Sequence, residues 1–218
     1  MSQILIIDDH PITVKGYKIL LENLEIPTSL EFDGAHSCDE VLLKMDELEG
    51  NFFDIVLLDI SLPASKDRTV TSGEDLGLLI KKRFPKTKII VHTGLNEIQR
   101  ISNIFRTLKP EGFLIKSDID PKTLNHAVSR VLQNKNFYSE KIRTLLSPDD
   151  FEKIYVDSWN RKILYHLSQG HKMKDLPSHI PLSMPTIERR KKRIKSLLGV
   201  PDGSTKELLD VARKKGFI

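Results

Sequence analysis

The chain has one cysteine, Cys38, in 218 residues. A single thiol closes no internal disulfide, so nothing here points to an oxidising compartment. Long apolar runs are also missing, and no stretch approaches the ~20 apolar residues of a membrane span. The opening MSQILIIDDH lacks the basic start and extended apolar core of a secretion signal. A soluble, cytoplasmic protein with no membrane partner is expected. Internal repeats and low-complexity tracts are absent as well. Strand-type runs stop before residue 134, and that absence divides the chain.

Charge divides it as well, somewhat further along. A formal charge of +4 conceals 20 Lys and Arg against 25 Asp and Glu through residue 157, and 14 against 5 beyond it. Such a split suggests an acidic signalling or catalytic half and a basic half that meets a polyanion.

In the first half, short apolar runs at 4–7, 30–32, 55–58, 89–91 and 113–115 alternate with helical patterns near 11–24, 38–49, 74–84, 96–107 and 121–133. Five βα units of this kind predict a parallel five-stranded sheet covered on both faces, with Asp120-Pro121 capping the last helix. Residues 136–150 are polar, include the turn signal Ser147-Pro148-Asp149-Asp150, and read as a partly helical linker. Beyond them, helical patterns near 157–168, 172–180, 184–198 and 204–215 predict a small all-helical domain. The expected division is a first domain at 1–135, a linker at 136–150 and a second domain at 151–218.

Ligands of an open parallel sheet sit at the carboxyl ends of its strands, so the residues that end strands carry the information. The greasy FDIVLLDISLP (53–63) runs into Asp59, and a carboxylate is costly in a core but useful at its rim. Strand 1 ends in Asp8-Asp9, strand 4 in His92-Thr93-Gly94, and strand 5 in Lys116-Ser117. Any one of these alone reads as a helix cap or a turn former. Together they place three carboxylates, a hydroxyl and an ammonium on one rim. Clustered carboxylates call for a hard divalent cation, and Mg²⁺ binds phosphate on its open side. The chemistry that fits is phosphoryl transfer, with Asp59 as a carboxylate nucleophile, Lys116 neutralising equatorial oxygens and Thr93 donating a hydrogen bond.

DDHP at 8–11, DIVLLDISLP at 54–63 and GFLIKSD at 112–118 resemble the receiver domain of two-component response regulators. The resemblance implies a flavodoxin-like (βα)5 fold, phosphorylation of Asp59 by a histidine kinase, and no enzymatic turnover beyond self-phosphorylation and hydrolysis of the product. It also implies Mg²⁺ held by Asp9, Asp59 and the backbone carbonyl of Ser61, with Asp8 acting through water, and a switch pair of Thr93 and Phe113. One departure is ASKDRTVTS (64–72), an apparent insertion before Gly73 that reads either as a gate or as a tolerated solvent loop. Another is Gly94, where Ala is commoner; little effect is expected.

In the second half, ERRKKRIK (188–195) lies on a helix opened by Ser183 as N-cap and Pro185 in its first turn, with Ile187, Ile194, Leu197 and Leu198 as the buried stripe. A short helix, a turn and a basic helix form a helix-turn-helix pattern. KMKDLPSHIPLSMPTIERRKKRIKSLLGV resembles the output domain of the NarL/FixJ (LuxR-type) family, which joins such a domain to a receiver. The resemblance implies a DNA-binding transcription regulator that dimerises when phosphorylated. Its groove-facing residues would be Thr186, Glu188, Arg189 and Lys192, with Lys191, Arg193 and Lys195 along the backbone. Pro177 falls where the scaffold helix should continue and predicts a short or kinked element.

Two other classes compete. The helical half could bind a protein instead of DNA, which salt-insensitive DNA binding would reveal. The sheet could belong to a Mg²⁺-dependent hydrolase, but Ser61 stands where a second acid/base Asp would be needed. Trp159 is expected in the helical core, and His10 at the first helix cap or the pocket rim. His92, His166 and His179 are too scattered in sequence to suggest a metal site.

Overall fold

Ile4–Ile7, Ile55–Leu58 and Ile89–Val91 are completely buried. Strands with both faces hidden belong in a parallel sheet flanked by helices, and that is where they lie. The computed structural model describes residues 2–22, 29–47, 53–95, 97–145 and 155–218. In chain order the elements are β1 (Ser2–Ile7), α1 (Pro11–Glu22), β2 (Leu30–Ala35), α2 (Cys38–Glu47), β3 (Ile55–Asp59), α3 (Gly73–Arg83), β4 (Lys88–Thr93), α4 (Ile98–Leu108), β5 (Gly112–Ile115) and α5 (Pro121–Leu132). These are the five expected βα units. Asp120 caps α5 through the Thr123 N–H at 2.6 Å, ahead of Pro121.

The sheet has six strands, not the expected five, in the order β2-β1-β3-β4-β5-β6, and every pairing is parallel. β6 (Phe137–Tyr138) and α6 (Glu140–Leu145) arise from residues read as linker. Two residues carry no periodicity of their own; pairing of Phe137 with Gly112 and Tyr138 with Phe113 makes them a strand. Expected helix residues 23–24, 48–49 and 96 and the turn at 147–150 lie outside the described residues.

Alternation along the strands divides the core. Ile4, Ile6, Ile55, Leu57, Ile90 and Leu114 face Val14, Tyr17 and Leu21 of α1 and Leu124, Val128 and Val131 of α5. Each such fully buried side chain stabilises the fold by roughly 1.5–3 kcal/mol.

By contact the chain separates into two compact units, Met1–Gly94 with Leu108–Leu145, and Leu95–Thr107 with Leu146–Ile218. Most of α4 thus belongs with the C-terminal helices. Asn103 Oδ1 accepts the Val156 N–H at 2.8 Å, the Arg106 guanidinium lies 4.8 Å over the Tyr155 ring, and Lys215 Nζ donates to Gln99 Oε1 at 2.9 Å.

The rest of that unit contains α7 (Ser158–Ser168), a 3-10 helix (Met173–Ser178), α8 (Met184–Leu197) and α9 (Thr205–Lys214). Its core gathers Ile163, Leu164, Leu167, Leu176, Ile180, Ile187, Ile194, Leu198 and Leu208, with Trp159 packed partly buried against them. Ile187, Ile194 and Leu198 of the expected stripe are buried, whereas Leu197 is half-buried. Pro177 sits inside the 3-10 helix, so the scaffold element is short, as the missing N–H dictates. Ser183 opens α8 but makes no side-chain bond to a backbone N–H; its hydroxyl pairs with that of Thr186 at 3.0 Å. Among the described residues no helix is long and apolar enough to cross a membrane.

Docking of α3 against β3 depends on one small residue. A Cβ on Gly73 would stand 1.9 Å from the Asp59 carbonyl oxygen, whereas a Cβ on Gly94 meets nothing within 4 Å. Gly73→Ala is therefore expected to destabilise the protein by about 1–3 kcal/mol or more. Gly94→Ala should stay within about 0.5 kcal/mol of the parent. Urea unfolding of both variants checks the pair, and equal midpoints would remove the steric account of α3.

Candidate functional site

The strand order reverses between β1 and β3, which opens a crevice at their carboxyl ends. Asp8 leaves β1 and Asp59 ends β3 at that point, and they are 0% and 1% exposed. Lys116, immediately after β5, brings its Nζ to 2.7 Å from Asp8 Oδ2 and 2.7 Å from Asp59 Oδ2. The Ser61 N–H donates to Asp59 Oδ1 at 2.9 Å, so both oxygens of Asp59 are oriented.

Burial raises the pKa of Asp8, but the Lys116 ammonium, the His10 N–H and the nearby positive charge outweigh it and hold the carboxyl below its usual range. For Lys116, burial works against the charged form, and the bonds to Asp59 and Asp8 reverse that and raise its pKa. Both groups carry their charges at neutral pH.

Asp9 is partly open, with 30% of its side chain exposed, and His10 Nδ1 lies 2.9 Å from Asp9 Oδ1 and 3.1 Å from Asp8 Oδ1. The His10 N–H also donates to Asp8 Oδ1 at 2.9 Å, placing His10 at the pocket rim. Among the described residues, Asp8, Asp9 and His10 form the group whose candidate ligand atoms all lie within 4.8 Å of one another. Ionised oxygen donors, one of them open to solvent, fit a divalent cation. Asp59 is joined to this group through Lys116.

Thr93 closes β4 and Phe113 lies in β5, both fully buried. Three neighbours were not assigned a part in the sequence reading. His92 pairs in register with Asp59, and its Nδ1 is 3.7 Å from Asp8 Oδ2. Complete burial pulls its pKa down to about 4, against the pull of Asp59 and Asp8, and keeps the ring neutral. Tyr17 packs edge-on at 5.2 Å from that ring, and the His36 Nδ1 lies 3.3 Å from the Asp8 carbonyl. A histidine ending the apolar run IIVH was the available signal for the first.

The insertion at 64–72 is folded onto its surroundings. Asp67 Oδ1 accepts from Ser65 Oγ at 2.6 Å and from the Thr69 N–H at 3.0 Å, and the Lys66 N–H reaches Asp39 Oδ1 at 3.1 Å. Ser65, Val70 and Thr71 are buried while 66–69 face solvent.

On α8, Pro185, Glu188, Arg189, Lys192, Arg193 and Ser196 are exposed and recur at helical spacing along one face. Thr186, Lys191 and Lys195 are half-buried. Lys191 Nζ donates to Thr205 Oγ1 at 2.7 Å, and its pKa is lowered by burial and by Lys195. Arg190 turns inward, its Nη1 at 2.8 Å from Asp157 Oδ2 and 2.9 Å from Asn160 Oδ1.

Comparison with known proteins agrees with this geometry. The family model described as the response regulator receiver domain matches residues 4–129. The oxygen regulatory protein NreC of Staphylococcus epidermidis is 23% identical over 232 residues, covering 99% of both chains. The transcriptional regulatory protein RcsB of Salmonella typhi is 28% identical over 208 residues, covering 90% of this chain and 88% of RcsB. Among solved structures, RcsB of Salmonella enterica serovar Typhimurium bound to promoter rprA with the phosphomimetic BeF3⁻ has a TM-score of 0.68 at 25% identity, covering 96% of this chain and 97% of that one. A structure of two RcsB dimers bound to two parallel DNAs has a TM-score of 0.56 at 25% identity, covering 99% and 98%. With its receiver match spanning more than half of its length and its likeness to NreC and RcsB extending over nearly all of it, the chain belongs to the response regulator receiver family.

Proposed function

We propose that the protein is a phosphorylation-gated transcription regulator in which Asp59 accepts a phosphoryl group from a histidine kinase and α8 reads promoter DNA. The observation that carries this reading is Lys116 Nζ held 2.7 Å from both Asp59 and Asp8 at the strand-end crevice. An oxygen of Asp59 attacks phosphorus, the donor's bond to phosphorus breaks, and Lys116 stands beside the oxygens that gain charge. Mg²⁺, when bound, supplies a second positive charge there, and Asp8, Asp9, Asp59 and the Ser61 carbonyl would hold it. Ser61 is exposed, which leaves its carbonyl approachable. Thr93 donates its hydroxyl to the phosphoryl group, and Phe113 takes up the space this movement frees. Most of α4, which comes soon after Thr93 in the chain, groups with the C-terminal helices, which supports a route from the modified Asp59 to the output half.

In this reading the sheet unit, which reaches Leu145 through β6 and α6, is the phosphoacceptor, and residues 151–218 are the DNA reader. Arg189 and Lys192 project from the exposed face of α8, where Arg takes guanine O6 and N7 bidentately and Lys meets phosphate. Glu188 and Thr186 border the same groove-facing surface, while Arg193 and Lys195 follow the backbone; Lys191, tied to Thr205, orients the helix instead. One short helix contacts few base pairs, so the phosphorylated protein acts as a homodimer on paired half-sites. Kinase and promoter both place this activity in the cytoplasm.

Asp59→Asn should reduce phosphate uptake from acetyl phosphate and Mg²⁺ to background; labelling at the parent level would remove Asp59 from this role. Replacing Arg189 and Lys192 by Ala should weaken DNA binding and flatten log K against log salt by about 0.9 for each DNA phosphate no longer neutralised. Unchanged, salt-insensitive binding would point to a protein partner for α8. Selection from a random DNA pool should yield a two-fold repeated motif that strengthens with beryllofluoride, and an unrepeated motif would argue against the dimer.

A further inference from the structure

Three histidines meet in the C-terminal unit, away from the exposed stripe of α8. His166 is in the last turn of α7 and is 1% exposed. His171 follows the end of that helix half-buried, and His179 ends the 3-10 helix and is exposed. Sequence separation conceals the meeting, which local geometry produces. Gly170 takes φ 86°, and the His171 N–H returns to the His166 carbonyl at 3.2 Å, folding the chain back over the helix end. The His179 N–H bonds the Leu176 carbonyl at 3.0 Å and brings the third ring to the same place. Ring centroids lie 5.5 Å apart for His166 and His171, 5.0 Å for His166 and His179, and 4.3 Å for His171 and His179.

We propose that His166, His171 and His179 bind a transition-metal dication of the zinc class. A bond of ~2.0–2.1 Å from zinc to an imidazole nitrogen puts each ring centre roughly 3 Å from the metal, so tetrahedrally disposed rings sit roughly 5 Å apart. The observed separations, 4.3–5.5 Å, bracket that value. Imidazole nitrogens without carboxylate suit zinc, copper, nickel and cobalt and exclude the hard cations that the Asp8 rim takes. Three ligands leave the fourth position to water or an anion.

Binding closes the site by side-chain rotation. The His166 and His179 rings are within 17° of parallel, so their nitrogens do not converge until one ring turns. His179, being exposed, turns freely, while buried His166 is the fixed anchor. The metal ties the end of α7 to the end of the 3-10 helix, the segment that leads into α8, and stabilises the unit by mass action. This site stands whether or not α8 reads DNA.

The test uses full-length, tag-free protein carrying Asp9→Asn and His10→Ala, which weakens the competing rim and leaves its remaining oxygen ligands to excess Mg²⁺. Co²⁺ is added in excess Mg²⁺ and followed by its visible absorption; Zn²⁺ is then measured by displacement and by thermal unfolding. One equivalent of Co²⁺ should bind, Zn²⁺ should displace it, and Zn²⁺ but not Mg²⁺ should raise the unfolding midpoint of this background protein. His171→Asn and His179→Asn, both outside the core, should each weaken binding at least about tenfold. Undiminished Co²⁺ binding by the background protein carrying His171→Asn and His179→Asn together, or no binding by the background protein itself, would overturn the proposal.

Discussion

The Lys116 bridge is the contact on which the acidic strand-end site depends. Asp8 and Asp59 sit almost without exposure on neighbouring strands, and two such carboxylates repel unless a cation is held between them. Lys116 supplies that cation from β5, two strands from β3. Strands spaced about 4.8 Å apart put roughly 10 Å between those backbones, a gap that needs a long stem on one side and a carboxylate on the other. Removing one partner of a buried pair costs roughly 3–5 kcal/mol because the other charge stays behind. The same ammonium that holds these two carboxylates together is the group to which the proposed phosphoryl transfer assigns the charge on the phosphoryl oxygens.

Neutral His92 completes this arrangement from below. Its ring lies against Tyr17 and near Asp8, and its pKa of about 4 keeps it uncharged at neutral pH. A protonated imidazole there would compete with Lys116 for Asp8. An uncharged one fills the strand end and leaves the positive charge at the rim, where phosphate arrives.

The strand-end carboxylates were legible in the sequence because burial and function conflict visibly there: apolar runs end in charge at Asp8, Asp59 and Lys116, and nothing about packing requires it. What stayed hidden was written in pairings between distant residues. β6 has two residues and exists through its register with Gly112 and Phe113. The ring contacts among His166, His171 and His179 follow from a left-handed Gly170 and a short 3-10 helix, and neither can be read from spacing. Ser183 was correctly placed at a helix start, but its hydroxyl pairs with that of Thr186 rather than with a backbone N–H. Pro177 was legible because its effect is local: it lacks an N–H wherever the chain goes.

Packing also sorts the cations of ERRKKRIK. A helix this basic repels itself, since like charges three or four residues apart destabilise it by a few tenths of a kcal/mol per pair. The fold offsets part of that repulsion from inside. Arg190 is matched by Asp157 and Asn160 at the start of α7, and Lys191 is tied to Thr205 at the start of α9. These two cations orient α8 on its neighbours and are unavailable to a polyanion without breaking those bonds. Arg189, Lys192 and Arg193 remain on the outer face, where their mutual repulsion is left to solvent and, in the proposed reading, to a phosphate backbone. The direction of each side chain thus decides whether a cation of this helix packs the fold or faces outward.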